Sequence, residues 1–397
     1  MISYYSGIIK SFTMTKILVL IASVLGMGSS YSQNIGIGTN NPKARLHVAD
    51  SSVLFTANAV LPVSPNDPPV VGPGIRMMWY ADKAALRAGG VNGPHWDKLY
   101  IGNYSFAAGF NVAAEGASSI AMGTSCEAGG DESITIGRAC VAYGIQAIAI
   151  GRSCASTGPS SVAIGFGNSS SGDYSVALGS EADALGDYGV AIGNNVTANG
   201  IYSTALGSYV STSGFEGSLA IGDHSTTTIM GSFVANGFRS RFAGGYRLFT
   251  NSAVTVGAFL NANANSWAAL SDVRMKENFL AVDGESFLQK IAAMPQFTWN
   301  YIGQDVKTLR HYGPMAQDFY QAFGKDDLGE IGCDTMINQQ DFLGVNLIAI
   351  QALEKRTTEM QKKLDKTNEL LENYEQRIAA LEEQNRLLRH LLKHKVN

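Results

Sequence analysis

Residue types able to perform nucleophilic chemistry lie close together in the run Ser271-Asp-Val-Arg-Met-Lys276. A serine hydroxyl becomes a nucleophile when a neighbouring base takes its proton. A lysine serves as that base only as the neutral amine, which burial favours. A serine and a lysine at this spacing are common, so the spacing alone assigns them no role. His311 could also exchange protons, but we expect it to be packed and hydrogen-bonded rather than directly catalytic.

The chain that must position these residues is divided sharply by composition. Residues 103–214 hold 19 of the 44 glycines, no lysine, no histidine and ten charges. Residues 351–397 hold no glycine and 18 charges. The net charge of −4 excludes a generally basic nucleic-acid binder, and the 45% hydrophobic content excludes wholesale disorder. We therefore expect no nucleic-acid partner, and neither total indicates an enzyme.

The first residues have the features of a secretory signal peptide. Lys16 precedes ten apolar or small residues, 17–26, and small residues follow up to Ser32. This apolar run is well short of the ~20 residues that a membrane-spanning helix needs. The sequence predicts export with cleavage near Ser32, a secreted or cell-surface location, and no membrane span in the mature chain.

An internal repeat of 14 residues occupies positions 103–214. Glycine stands at the seventh and fourteenth positions of all eight units, and the shared core reads Ser-[Ile/Val]-Ala-[Ile/Leu]-Gly. β-Branched residues alternating with alanine predict a short strand, which glycine ends in a turn of positive φ. A second short strand completes one coil, and stacked coils pair their strands in parallel. The repeat therefore predicts a β-roll.

Alternation within each first strand separates large residues from alanines. Ile120 and Ile134 point one way, whereas Ala121 and Ala149 point the other. A solvent-facing row would be polar, so we expect the alanine row to pack closely against another copy of the chain.

Three of the four cysteines follow the same period. Cys126, Cys140 and Cys154 occupy the tenth position of consecutive units, and Cys333 lies far downstream. We expect the three to stack as small, packed free thiols, with a disulfide between neighbouring coils as the alternative. No zinc site is expected, because stacked cysteines do not surround a point and the segment has no histidine.

The repeat resembles the head repeat of YadA-like trimeric autotransporter adhesins. This resemblance covers 103–214 and the offset unit that ends at Gly222. It implies a left-handed parallel β-roll that assembles as a homotrimer, with a host-surface or glycan ligand. No C-terminal membrane β-barrel is recognised in the sequence, which departs from those adhesins.

The segment before the repeat is less regular. Its start, from Asn34 to Val48, resembles the N-terminal motif of exported tail-fibre-like proteins. Gly36 and Gly38 are not a dinucleotide fingerprint, because the third glycine and a following helix are missing. Aromatic residues such as Trp79 and Trp96 are expected to pack between subunits.

Separated motifs after the repeat occur in a recognisable order. The run Ser271-Asp272-Val-Arg274-Met-Lys276 is followed by His311-Tyr-Gly313-Pro-Met-Ala-Gln317 and then by an apolar helix. Together they resemble the intramolecular chaperone domain of phage endosialidases and tail spikes, from about Ser266 to the end. The resemblance implies a Ser–Lys dyad that cuts its own chain once, after three subunits have assembled.

By that resemblance Ser271 is the nucleophile and Lys276 its base. Cleavage is expected at Ser271-Asp272, with the bond before Ser271 as the alternative. Arg274, His311, Gly313 and Gln317 are motif residues without an assigned role. No cofactor and no metal ion is expected. The enzymatic activity, if the chain has one, is a single-turnover autocatalytic serine endopeptidase without an external substrate.

The C-terminal residues predict a coiled coil of about six heptads. Position a is apolar at Ile350, Leu364, Leu371 and Ile378, and position d is apolar at Leu353 among others. Asn385 at position a is expected to fix the register of the helices, without deciding between a dimer and a trimer.

These observations predict a mostly β chain made of a trimeric left-handed β-roll, a small α+β chaperone domain and a helical coiled coil. We expect an exported, adhesin-like fibrous protein that removes its own chaperone. The alternatives are a permanent trimerisation clamp without cleavage, or a tail-spike-like enzyme acting on glycans. The expected segments are a signal peptide at 1–32, a neck at 33–102, head repeats at 103–231, a connector at 232–265, the chaperone domain at 266–350 and the coiled coil at 351–397.

Overall fold

The computed structural model describes residues 34–394. The predicted signal peptide, residues 1–32, lies outside the described residues. The chain forms two compact units, one up to Leu270 and one from Ser271 onward. Between residues 34 and 394, no helix is both long enough and apolar enough to cross a bilayer.

The first unit begins with two short pieces of sheet. Strands β1 (Ile35–Ile37) and β2 (Leu46–Val48) pair in parallel. Strands β3 (Gly74–Tyr80) and β4 (Ala85–Val91) form an antiparallel hairpin. β4 then pairs in parallel with the first strand of the repeat, so the hairpin begins the main sheet.

The 14-residue repeat forms a parallel β-roll, as the sequence predicts. Each strand pairs in parallel with the strand one unit away, so that Ile148 lies beside Ile134 on one side and Val162 on the other. The roll extends beyond 103–231, since its sheet runs from Gly74 to Arg241. Its further strands are β5 (Phe106–Phe110), β6 (Ala113–Ala114), β7 (Ile120–Thr124), β8 (Glu127–Ala128), β9 (Ile134–Arg138), β10 (Val141–Ala142), β11 (Ile148–Arg152), β12 (Ala155–Ser156), β13 (Val162–Phe166), β14 (Ser169–Ser170), β15 (Val176–Ala184), β16 (Val190–Ala198), β17 (Thr204–Ser211), β18 (Leu219–Gly222), β19 (Met230–Gly231) and β20 (Phe238–Arg241).

The seventh-position glycines are required by both backbone angle and space. Gly151 has φ +122°, in the region that favours glycine. A Cβ added there would lie 2.1 Å from the carbonyl oxygen of Gly165 on the next coil. Gly137 meets Gly151 in the same way at 2.0 Å. The coils therefore stack at the close spacing of a β-sheet only because these positions carry no side chain.

The alanine row lines the interior of the roll, which corrects the expected packing against another copy. Ala121, Ala149 and Ala163 are fully buried within a single chain. The two strands of one coil face each other across a narrow interior that admits alanine, serine, cysteine and valine. The larger residues are on the outer face, where Ile136 remains 38% exposed. It is this isoleucine face that one chain leaves uncovered.

Buried serines complete the interior of the roll. Ser133 Oγ donates to the carbonyl of Gly130 at 2.6 Å, and Ser161 Oγ donates to that of Gly158 at the same distance. Each hydroxyl is thereby satisfied within its own turn, which removes the cost of burying it. Where a serine precedes the first strand of a unit, as in six of the eight units, it is thus part of the turn that starts the coil.

The first unit ends in a cap and a small sheet. Asp223 accepts a hydrogen bond from Arg241 Nε at 3.2 Å, and Arg241 also donates to the carbonyl of Thr228 at 2.8 Å. Three antiparallel strands follow: β21 (Gly245–Phe249), β22 (Gly257–Asn261) and β23 (Ala268–Ala269).

The second unit is a small α+β arrangement with one long helix. Its elements are α1 (Gly284–Ala293), β24 (Phe297–Trp299), β25 (His311–Gly313), α2 (Ala316–Phe323) and α3 (Gln339–His394). Its core is Phe319, Phe323 and Val345, with Phe287 and Ile291 packed against them. The predicted fold class is confirmed: a mostly β chain with a solenoid, an α+β region and a C-terminal helix. The helix begins at Gln339, earlier than the expected coiled coil at 351.

Candidate functional site

A single helical turn brings Ser271 and Lys276 together. Asp272 Oδ1 accepts a hydrogen bond from the backbone N–H of Arg274 at 2.9 Å and so caps the 3₁₀ turn Val273–Met275. The backbone N–H of Lys276 then donates to the carbonyl of Val273 at 3.2 Å. This bend returns the lysine side chain to the residue that precedes the cap.

The two side chains expected to form a dyad are hydrogen-bonded. Lys276 Nζ donates to Ser271 Oγ at 2.7 Å. The distance lies within the range in which a proton can pass between a base and a nucleophile. Transfer from the hydroxyl to the lysine requires the neutral amine, whereas the lysine is the donor in this contact. Both side chains are exposed in the single chain.

Asp272 and Arg274 form an ion pair beside the dyad. Arg274 Nη2 lies 2.5 Å from Asp272 Oδ2, and Arg274 Nε lies 3.1 Å from both carboxylate oxygens. The hydrogen bonds from the side chain and the backbone of Arg274 hold the pKa of Asp272 below its usual value. The same side-chain hydrogen bond raises the pKa of Arg274. Asp272 therefore stays ionised while it caps the turn.

Several apolar residues close to Ser271 and Lys276 in sequence are exposed. Val273, Met275, Phe279 and Leu280 are all more than half exposed. Apolar side chains that are exposed together can form an interaction surface. These residues are therefore available for contact with another surface.

His311 lies in an aromatic cluster rather than in the dyad. Its ring stacks on Trp299 with the centroids 4.6 Å apart, and Tyr301 meets it edge-on at 5.7 Å. The His311 Nε2 and Trp299 Nε1 atoms are buried without a hydrogen-bond partner in the described part of the chain. The expected packing of His311 is present, but Nε2 makes no hydrogen bond. No hydrogen bond joins His311 to Ser271 or Lys276 among residues 34–394.

The other two motif residues lie close to His311 in sequence. Gly313 ends β25 with φ +149°, an angle in the region that favours glycine. Gln317 is in the first turn of α2. Trp299 and Tyr301 are not among the residues predicted from the motifs. The alternation Trp299-Asn-Tyr301, upstream of His311, is the sequence feature that indicates an aromatic face there.

The three cysteines of the roll are buried free thiols. Burial raises the pKa of Cys140 and of Cys154. Cys154 Sγ contacts the carbonyl oxygens of Gly165 at 3.3 Å and Ile150 at 3.4 Å. No group of histidine, cysteine and acidic residues within 34–394 has an arrangement that could hold a metal ion.

Comparisons with known proteins match both units. Residues 271–328 match the family model described as chaperone of endosialidase, a peptidase family. Residues 156–182 and 184–209 match two copies of the YadA head domain repeat. No curated protein matches the sequence significantly. The chain therefore combines YadA-like head repeats with an endosialidase-type chaperone domain, and the match to that domain begins at Ser271.

Proposed function

We propose that this chain is an exported, trimeric, adhesin-like fibre protein whose second unit assists assembly and then cuts itself free. YadA head repeats joined to an endosialidase-type chaperone domain support a trimeric adhesin or tail-fibre-like protein. The observation that carries the cleavage step is the 2.7 Å contact between Lys276 Nζ and Ser271 Oγ. The start of the second unit at Ser271 supports cleavage at this point.

Two uncovered apolar surfaces favour assembly. The outer face of the roll exposes isoleucines such as Ile136 and Ile164. Helix α3 has 56 residues, ~84 Å of helix, and its a and d residues Leu371, Ile378 and Leu381 are each more than half exposed. A lone helix of this length with an apolar seam is expected to pair with copies of itself.

The proposed cleavage balances as an acyl transfer. The neutral amine of Lys276 takes the proton from Ser271 Oγ, and the oxygen attacks the carbonyl carbon of the scissile peptide bond. The C–N bond breaks, the leaving amine takes the proton back from Lys276, and an ester remains on the serine. Water then hydrolyses that ester, which releases a carboxylate and restores the hydroxyl.

Assembly supplies what the single chain lacks at this site. Burial favours the neutral amine of a lysine, which is the form that can take a proton from a serine. Covering Val273, Met275 and Phe279 with neighbouring chains would exclude water from the dyad. Cleavage would then depend on correct trimer formation, and the chaperone would be released only from a finished fibre.

The two candidate cleavage sites, before and after Ser271, differ in whether Ser271 Oγ can reach the scissile carbonyl of its own chain. Attack by Ser271 Oγ on the carbonyl of Leu270 closes a five-membered ring within one chain. Cleavage of Ser271-Asp272 by the same oxygen would close a four-membered ring, so this bond needs the hydroxyl of another subunit. The first residue of the released fragment distinguishes the two: Ser271 for the former, Asp272 for the latter.

The test is expression of the full-length chain beside Ser271→Ala and Lys276→Met, with Lys290→Met as a matched lysine control. Wild type and Lys290→Met should yield two fragments that separate at Ser271, and the other two variants should remain full-length. Light scattering should show trimers in all four. A wild type that stays full-length as an assembled trimer would show that the second unit is a permanent clamp.

The ligand of the proposed adhesin is tested separately. A glycan array probed with the cut head would report binding to a host-surface glycan, and chromatography of the glycans afterwards would report any hydrolysis. Hydrolysis of an external glycan would replace the adhesin proposal with an enzymatic one.

A further inference from the structure

The eight 14-residue units, residues 103–214, carry only two positive charges, and these lie together. Between residues 103 and 214 the only basic residues are Arg138 and Arg152. They are register partners on neighbouring coils, where strands lie ~4.8 Å apart. Both are exposed, and neither guanidinium makes a hydrogen bond or ion pair within the described residues, although Arg152 lies over the ring of Phe166. Like charges directly opposite each other repel, and a nearby anion would relieve this repulsion.

One coil of the eight carries charges of both signs. The coil 131–144 has Asp131 and Glu132 in the turn at one edge and Arg138 at the end of β9, at the other edge. The other charged residues of the repeat occur in coils of a single sign: Glu115, Glu127, Arg152, Asp173, Glu181, Asp183 and Asp187. The acidic and basic edges of coil 131–144 are separated by six residues of nearly extended chain, about 15–20 Å. They therefore cannot neutralise each other within one chain.

The carboxylates at the acidic edge are held in place. Gln146 Nε2 donates to Glu132 Oε2 at 2.8 Å, and Ser160 Oγ donates to Gln146 Oε1 at 3.2 Å. The backbone N–H of Ala117 donates to Asp131 Oδ1 at 2.8 Å. The second oxygen of each carboxylate has no hydrogen bond in the described part of the chain. Hydrogen bonds from neighbouring coils thus hold two carboxylates, each with one free oxygen, at the level of Arg138.

Identical coils create a register problem for any assembly of rolls. Two rolls with a 14-residue repeat and the same apolar outer face can slip by one coil, ~4.8 Å, with little change in apolar contact. A polar feature at a single level removes this degeneracy, as a single buried asparagine does in a coiled coil. Coil 131–144 is the level at which this roll has such a feature.

We infer that Arg138 of one subunit pairs with Glu132 and Asp131 of the next subunit at the same coil level, and so fixes the axial register of the head. This inference rests on the proposed trimer. In a ring with three-fold symmetry each subunit presents its basic edge to the acidic edge of its neighbour, and the third contact closes the ring. Arg152 extends the basic edge by one coil, to the level of Gln146.

An acidic external partner is the rival occupant of the arginine pair. A sulfated or carboxylated glycan chain would also supply anions. The repeat has eight acidic residues against two basic ones between 103 and 214, and this excess repels a polyanion. The same excess makes a second copy of the chain a suitable source of carboxylates.

A zero-length cross-link tests the contact. No lysine occurs between Lys98 and Lys276, so R138K keeps the charge and introduces the only lysine amine of the eight repeat units. Full-length R138K treated with a carbodiimide should give covalent dimers and trimers on a denaturing gel. Peptide mass spectrometry should place the amide bond at Glu132 or Asp131. Combining R138K with D131N and E132Q should reduce this product at least tenfold.

The matched control shifts the amine by one coil. Thr124 pairs with Arg138 on the neighbouring coil, so T124K places the amine one coil away. At that level the opposite edge carries Ala117 and Ser118 in place of the two carboxylates. It should give at least tenfold less product than R138K, whereas comparable yield would show slipped rolls and overturn the inference.

R138K trimers without a cross-link would also overturn the inference and leave the proposed trimer intact. Binding of heparin by wild type that R138E abolishes, without any cross-link in R138K, would assign the arginines to an external anion. Chains that remain monomeric by light scattering would refute the proposed trimer itself.

Discussion

The two units of this chain differ in how much of their folding each completes alone. In the roll, alanines such as Ala149 and Ala177 are fully buried within one subunit, and the strands pair along its whole length. In the second unit the buried apolar residues among those described are Phe319, Phe323, Val345 and Ala349. Most of the apolar side chains of α3 remain exposed.

Under the proposed function, the roll is a permanent shaft and the second unit is a temporary assembly device. The roll has its core inside each chain, and in the proposed trimer partners would cover only its outer face. The second unit exposes the residues next to Ser271 and the apolar seam of α3, which other chains would cover in the proposed trimer. A folding aid that is complete only in the assembled state can report that assembly has occurred.

The substitution with the largest expected effect should prevent the second unit from assembling and leave the fold of the roll intact. Ile378→Asp places a carboxylate at position a of α3 in every chain. Burying an isoleucine contributes about 1.5–3 kcal/mol, so three chains lose several kcal/mol before the cost of burying charge is added. We expect loss of the trimer by light scattering, with the β signal of the head retained in circular dichroism.

Gln376→Asp is the matched control for that substitution, because it adds the same charge at position f. It should leave trimers unchanged. Loss of trimers with both variants would show that added charge, rather than the apolar seam, governs assembly.

The substitution with the next largest expected effect should destabilise the roll rather than the second unit. Gly151→Ala adds a Cβ 2.1 Å from the carbonyl oxygen of Gly165 at a φ of +122°. We expect the free energy of unfolding of the head to fall by at least about 3 kcal/mol, from backbone strain and steric overlap together. Gly244→Ala, where an added Cβ meets nothing within 4 Å, should change it little. Urea denaturation of both variants measures the difference, and equal midpoints would refute the close stacking of coils.

Thiol chemistry compares the two units directly. Cys140 is buried with a raised pKa, whereas hydrogen bonds from Thr335 and from the backbone of Met336 lower the pKa of the partly exposed Cys333. Only the thiolate reacts with iodoacetamide, so Cys333 should be alkylated first, with an appreciable rate below the ordinary thiol pKa. Cys140 should react only in urea. Site-resolved mass spectrometry over time measures both rates, and labelling of native Cys140 at the rate of Cys333 would show that the coils open.

Sequence predicted the roll well because its period is a direct consequence of coil geometry. Glycine at every seventh position marks the sites where coils come closest, and no other residue fits there. The sequence did not predict which face of the strand is buried in the roll, because both the Ile120 row and the Ala121 row are apolar. The narrow interior, visible only in three dimensions, admits the smaller side chain.

The dyad was predicted from a motif, and its geometry was not. Nothing in the spacing of Ser271 and Lys276 shows that they meet, since an α-helix would place residues five apart on different faces. The cap that Asp272 provides to Arg274 makes a tight turn, and that turn returns Lys276 to Ser271. The aromatic stack around His311 depends on the pairing of β24 with β25, which joins residues distant in sequence.

The smallest expected effect concerns the cap at the C-terminal end of the roll. The backbone N–H of Ala243 and the hydroxyl of Ser225, together with Arg241, lower the pKa of Asp223 to about 2. Because the pKa in the folded state lies below the ordinary 3.8, the stabilisation is fully present above about pH 4. It is lost as the pH falls through about 2. Asp223→Asn should therefore lower the melting temperature of the head at pH 7 and leave it nearly unchanged at pH 2.

Glu216→Gln, which removes an exposed carboxylate of the same unit, should show no such pH-dependent difference. A deficit of the Asp223 variant that persists at pH 2 would mean that the asparagine disturbs the cap by its shape rather than by its missing charge.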